Sequence, residues 1–139
     1  MTKMKTISHH TALIYVMVVI SAADGSMSEA ELRIIGELTK SLPSFKDFDH
    51  ERLLAICQEC AQILQEPDGA DAAMGLIKEG LPEVLRETAY WVALEVSLAD
   101  RRIALEEVRV LDALRRLLDI DKLAAAAIER GARAKYQVA

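Results

Sequence analysis

Apolar positions recur along this chain with a helical period almost from end to end. Residues 9–23 are apolar on nearly every side, which predicts a helix at the centre of the fold rather than on its surface. Asp24-Gly25 stops that helix, because Gly tolerates the left-handed turn that follows a helix end. Ser28 and Glu31 then form a capping-box pattern that opens a second helix, with Ile34, Ile35, Leu38 and Leu42 on one face before Pro43 ends it. After a loop at 44–48, Asp49 caps a third helix at 50–65 whose stripe is Leu53, Cys57, Cys60 and Leu64. The turn signal Pro67-Asp68-Gly69 leads into a short helix at 70–78, which Gly80 to Pro82 breaks. The fifth helix, 83–99, has the all-round apolar character of the first. The sixth, 105–118, points Val108, Leu111, Leu114 and Leu118 inward. Asp121 caps a seventh, with Leu123, Ala124, Ala127 and Ile128 as a narrow stripe; Gly131 weakens its end and leaves the tail to Ala139 loosely held. Long β-branched and aromatic runs of the kind strands need are missing. The pattern predicts an all-α, single-domain bundle of about seven helices.

Two stretches of this pattern match each other at a constant offset. Asp24 falls on Asp100, Met27 on Ile103 and Glu31 on Glu107, and the flanks agree: Tyr15-Val16 with Trp91-Val92, Ile20-Ser21 with Val96-Ser97, Ile34-Ile35 with Val110-Leu111. The expectation is an internal duplication of a helix–acidic loop–helix hairpin, residues 12–42 and 88–118.

With 139 residues the chain can bury roughly two thirds of its unfolded surface. Aromatic residues make up only 4% against 52% hydrophobic, so the core must be aliphatic and alanine-rich, as closely packed helices allow. The net charge of −5 opposes nucleic-acid binding, where affinity comes from Lys and Arg neutralising phosphates, and favours cations or basic partners. The apolar run at 12–23 has the length of a core helix, not of a membrane span. Lys3 and Lys5 ahead of it and Ala22-Ala23 behind it imitate a signal peptide, but cleavage there would remove the first hairpin's opening helix. The expectation is a cytoplasmic protein without membrane insertion.

The candidate chemistry lies in the two loops. A tight loop can bring Asp24 and Glu31 to one point, where Ser26 and a loop carbonyl add oxygens; such an all-oxygen set suits Ca²⁺ or Mg²⁺ rather than zinc. The loop is too short for an EF-hand, which needs twelve positions with Gly at the sixth. Glu31 has a second reading as simply the far side of the capping box. That reading does not extend to Glu107, where Ala104 replaces the capping Ser.

The Asp-Gly-x-φ-Ser-x-x-Glu loop after an apolar helix, with an Asp-x-x-φ-x-x-x-Glu loop downstream, resembles the TerB-like proteins of bacterial tellurite resistance. The resemblance covers nearly the whole chain in helix order and duplication. It implies an all-helical cytoplasmic protein that binds metal through acidic positions within a stress-response complex, and it carries that role to Asp24, Glu31, Asp100 and Glu107. Arg101 stands where the pattern has Gly, and Arg101 and Arg102 can neutralise Asp100, so the first loop is expected to be the stronger site.

Elsewhere, Glu95 interrupts the apolar face of the fifth helix and needs a partner, either an Arg of another helix or a metal. Cys57 and Cys60 form a lone CxxC within a core stripe, which reads as packing: zinc would need two more ligands and a redox site a βαβ context. His9-His10 reads as a solvated pair. No nucleophile–base pair, Gly-rich phosphate loop or di-iron pattern is present. The functional expectation is a non-enzymatic protein that takes a divalent cation, calcium ahead of magnesium, and has protein partners in a stress response. The alternative is a metal-free interaction scaffold with an acidic partner-binding face.

Overall fold

A computed structural model describes residues 6–23, 25, 27–99, 103 and 105–139. Among them seven α-helices and no strands are found: α1 His9–Ala22, α2 Glu29–Ser41, α3 Leu53–Gln65, α4 Gly69–Gly80, α5 Arg86–Ser97, α6 Leu105–Leu117 and α7 Lys122–Lys135. Single 3-10 turns at His50–Arg52 and Glu83–Leu85 lead into α3 and α5, so the starts expected at residues 50 and 83 are present as tighter helix.

The starts follow from their caps. Ser8 Oγ accepts from the Thr11 amide. Asp49 accepts from the Glu51 amide, and Asp121 from the amides of Leu123 and Ala124.

Every residue of α1 from Thr11 to Ser21 is buried. It packs against α3, α4 and α5, and α5 in turn packs against α7, α2 and α6. Two apolar helices thus form the axis, and five amphipathic ones cover them.

Five details correct the expected pattern. In α7, Leu123 is 79% exposed and Ala127 is exposed too, and the buried residues are Ala125 and Ala132. In α6, Leu111, Leu114 and Leu118 are buried, but Val108 is 48% exposed. Its place at the head of the inward stripe belongs to Glu107, one residue earlier, which keeps the helical spacing to Leu111. Gly131 does not end α7, which runs on to Lys135. A Cβ at Gly131 would meet Trp91 of α5 at 3.5 Å, an ordinary van der Waals contact. The tail is not loose at its root either, since Tyr136 hydrogen-bonds Glu95. His9 and His10 are half-buried rather than solvated, because the His10 ring stacks on Phe45 at 5.7 Å and meets Phe48 edge-on at 5.3 Å.

Candidate cation-binding loops

α1 runs without interruption to Ala22, and the chain turns at Gly25, whose φ of +108° suits glycine and few other residues. The Gly25 amide bonds the Ala22 carbonyl at 3.0 Å, closing the turn. α2 then opens through a complete capping box: the Ser28 amide donates to Glu31 Oε1 at 2.8 Å, and the Glu31 amide donates to Ser28 Oγ at 3.1 Å. Glu31 is only 3% exposed, so one oxygen of a buried carboxylate is engaged by the backbone.

Glu107 stands at the matching place in the second hairpin and is also 3% exposed. α2 and α6 begin and end at corresponding residues, and their buried stripes correspond as well. Glu31, Ile35 and Leu38, with the partly buried Leu42, run down and just past α2; Glu107, Leu111, Leu114 and Leu118 run down and just past α6. Each stripe is headed by a buried glutamate in the first turn of its helix. Ser21 and Ser97, the corresponding residues near the ends of α1 and α5, are buried too.

Asp24 and Asp100, with Ser26, Arg101, Arg102 and Ala104, lie outside the described residues, which leaves the two glutamates to define the geometry of the loops. Among the described residues, no three His, Cys, Asp or Glu side chains gather as a metal would require.

Glu95 is 1% exposed in α5, and its partner is not the arginine expected. Lys135 Nζ lies 2.7 Å from Oε1, and the Tyr136 hydroxyl donates to Oε2. Burial, then this bond to Glu95, pushes the Tyr136 phenol well above its ordinary pKa, so it remains a donor. With both oxygens held by the end of α7, the carboxylate serves as a clamp between α5 and α7.

Cys57 and Cys60 are buried in α3 as expected. The Cys60 thiol, which reaches toward the Tyr15 carbonyl at 3.9 Å, is pushed up to about 12 by burial and by Cys57. Neither thiol supplies a thiolate at neutral pH.

Two features escaped the sequence. One is the ring cluster of His10, Phe45, Phe48 and His50 that seats the loop between α2 and α3 on the start of α1. Its only sequence signal is four rings in a chain with few aromatics. The other is a groove of about 670 Å³ beside the first half of α1, lined by residues from α1, α3 and α4 and by the lead into α1.

No described helix is long and apolar enough to cross a membrane. No curated protein and no solved structure matches the chain. The model of one family, described as tellurite resistance protein TerB, matches residues 10–130. That span covers most of the chain, and the chain belongs to the TerB family.

Proposed function

We propose that this TerB-family chain is a non-enzymatic, cytoplasmic protein that binds a divalent cation through its two acidic interhelical loops. Asp24 and Glu31 would hold the ion in the first hairpin, and Asp100 and Glu107 in the second, within a stress response that includes tellurite resistance. One observation carries the reading: two glutamates at corresponding places, each 3% exposed, head the buried stripes of their helices. A carboxylate buried this deeply persists only where hydrogen bonds or a cation compensate its lost water. The oxygen donors suit calcium ahead of magnesium, since calcium tolerates irregular, carboxylate-rich sites. A bound ion supplies charge neutralisation and a link between the two helices of a hairpin. The complete capping box around Glu31 favours the second reading, a metal-free scaffold that meets protein partners through an acidic face.

Calorimetric titration of chelator-treated protein with Ca²⁺, Mg²⁺ and Zn²⁺ separates the two. On the cation reading, calcium at 100 times its dissociation constant stabilises the fold by about 2.7 kcal/mol and raises the melting temperature accordingly. Asp24→Asn with Glu31→Gln should remove most of that rise, and Asp100→Asn with Glu107→Gln less, because Arg101 and Arg102 compete for Asp100. Absence of any shift at millimolar calcium or magnesium would leave the scaffold reading. Loss of the shift only in the second pair would reverse the order of the loops.

A further inference from the structure

The groove beside the first half of α1 lies at the other end of that helix from the first acidic loop. Two glycines let its walls close in. A Cβ at Gly69 would fall 2.0 Å from the Ile63 carbonyl oxygen, and one at Gly80 would fall 2.6 Å from the Ile7 carbonyl oxygen. Ile63 and Ile7, held this close to α4, are both groove residues, and Leu76 joins them to make an apolar strip.

Tyr15 is 3% exposed, yet among the described residues its hydroxyl makes no hydrogen bond. It faces the groove with Gln62. Burial, with help from Cys60 and Glu59, raises the phenol's pKa, so it stays neutral and able both to donate and to accept.

Three charged side chains mark the same wall at equal intervals: Arg52, Glu59 and Glu66, seven residues apart in turn. None of them has an ion-pair partner among the described residues. Seven residues of helix rise about 10 Å, which three residues of extended polyproline II chain also cover, and that conformation returns every third side chain to one face.

We propose that this groove binds an extended, basic segment of a partner protein. Apolar side chains of the guest lie on Ile7, Ile63 and Leu76, and two Lys or Arg residues three apart reach Glu59 and Glu66. Tyr15 and Gln62 read the guest's backbone, whose alternating donors and acceptors match a hydroxyl and an amide. Arg52 takes an acidic side chain or a terminal carboxylate at the far end. The chain's net charge of −5 draws in such a guest. This inference does not depend on the cation reading, since no groove residue belongs to either loop.

The test uses a short fluorescent peptide with an acidic residue first, lysines at three-residue intervals after it, and leucine and serine between. Its binding to the full chain is followed by polarisation and by NMR shift mapping. The proposal expects shifts confined to Tyr15, Gln62, Ile63 and their neighbours. It also expects about fivefold weaker binding in Tyr15→Phe and about tenfold in Glu59→Gln with Glu66→Gln, each with an unchanged melting temperature. Asp112→Asn, on the far helix α6, should bind as wild type does. A charge-reversed peptide that binds equally well would overturn the proposal, as would shifts elsewhere or indifference to the groove variants. Self-association in sedimentation that Tyr15→Phe abolishes would overturn it in favour of a second copy as the occupant.

Discussion

Where α1 carries Val19, the corresponding position of α5 carries Glu95, and both are buried, 5% and 1% exposed. Around them the two hairpins are alike: α2 and α6 of equal length, buried serines near the ends of α1 and α5, glutamates heading the stripes of α2 and α6. The difference lies in the neighbours. α1 packs against α3, α4 and α5, and Val19 lies in the apolar core. α5 packs against α7, whose last residue Lys135 and the following Tyr136 provide a cation and a hydroxyl. The same hairpin can therefore host a valine or a carboxylate, provided the neighbouring helix ends in the right place. A buried charge in this bundle is a property of the pair of elements, not of the helix that carries it.

Exchanging the two residues should break the comparison most sharply. Val19→Glu is expected to cost about 3–5 kcal/mol in urea unfolding, because the new carboxylate is buried without a partner. Glu95→Val should cost no more than about 1.5 kcal/mol, since the Lys135 side chain is 53% exposed and returns to water. Equal costs would show that Glu95 is not sustained by the end of α7.

A smaller effect is expected at the hairpin loops. Ser28→Ala removes the hydroxyl that caps α2 and should destabilise the protein by about 1 kcal/mol. The second hairpin already has Ala104 at the matching place in the sequence, so a cost near zero at Ser28 would mean that neither hairpin relies on its cap.

The smallest effect is one of pH. His10, in the first turn of α1, corresponds to Arg86 at the start of α5. Burial first, then neighbouring His9, hold its pKa below the ordinary 6.5; the carbonyls of Lys46 and Ser44 and the charge of Asp47 act the other way. The folded pKa is thus the lower one, and between the two values the unfolded chain binds more protons. The contribution is complete above about pH 6.5 and declines as pH falls through the folded pKa. Melting temperature should drop on acidification from pH 7 to 5, and His10→Phe should flatten that part of the profile. An unchanged profile in His10→Phe would place the titrating group elsewhere.

These contrasts also mark what the sequence could show. Helices, caps and most stripes were legible because a 3.6-residue period and capping chemistry are local, and Asp49, Asp121 and the Ser28–Glu31 box all act as they read, whereas the stripe read for α7 put the exposed Leu123 inside. Val108 misled because a valine reads as core, whereas the inward position had gone to a glutamate one residue earlier. The need of Glu95 for a partner was legible, but not its identity: Lys135 is 40 residues away, and only the packing of α7 on α5 brings it near. The groove was hidden for the same reason, arising where Gly69 and Gly80 allow close approach of Ile63 and Ile7. Of the four loop carboxylates, the two glutamates are seen to be buried at matching places, and the aspartates fall outside the described residues.

The burial of α1 from Thr11 to Ser21 has a consequence during synthesis. The helix is finished at Ala22, whereas its partner α5 spans Arg86–Ser97. At about 5–20 residues per second the ribosome needs roughly 3–15 s to supply that partner. Throughout this interval a cylinder with no polar side has only α2, α3 and α4 to cover it. The length of this exposure is therefore set by the order of the elements, and an order that brought α5 directly after α1 would shorten it.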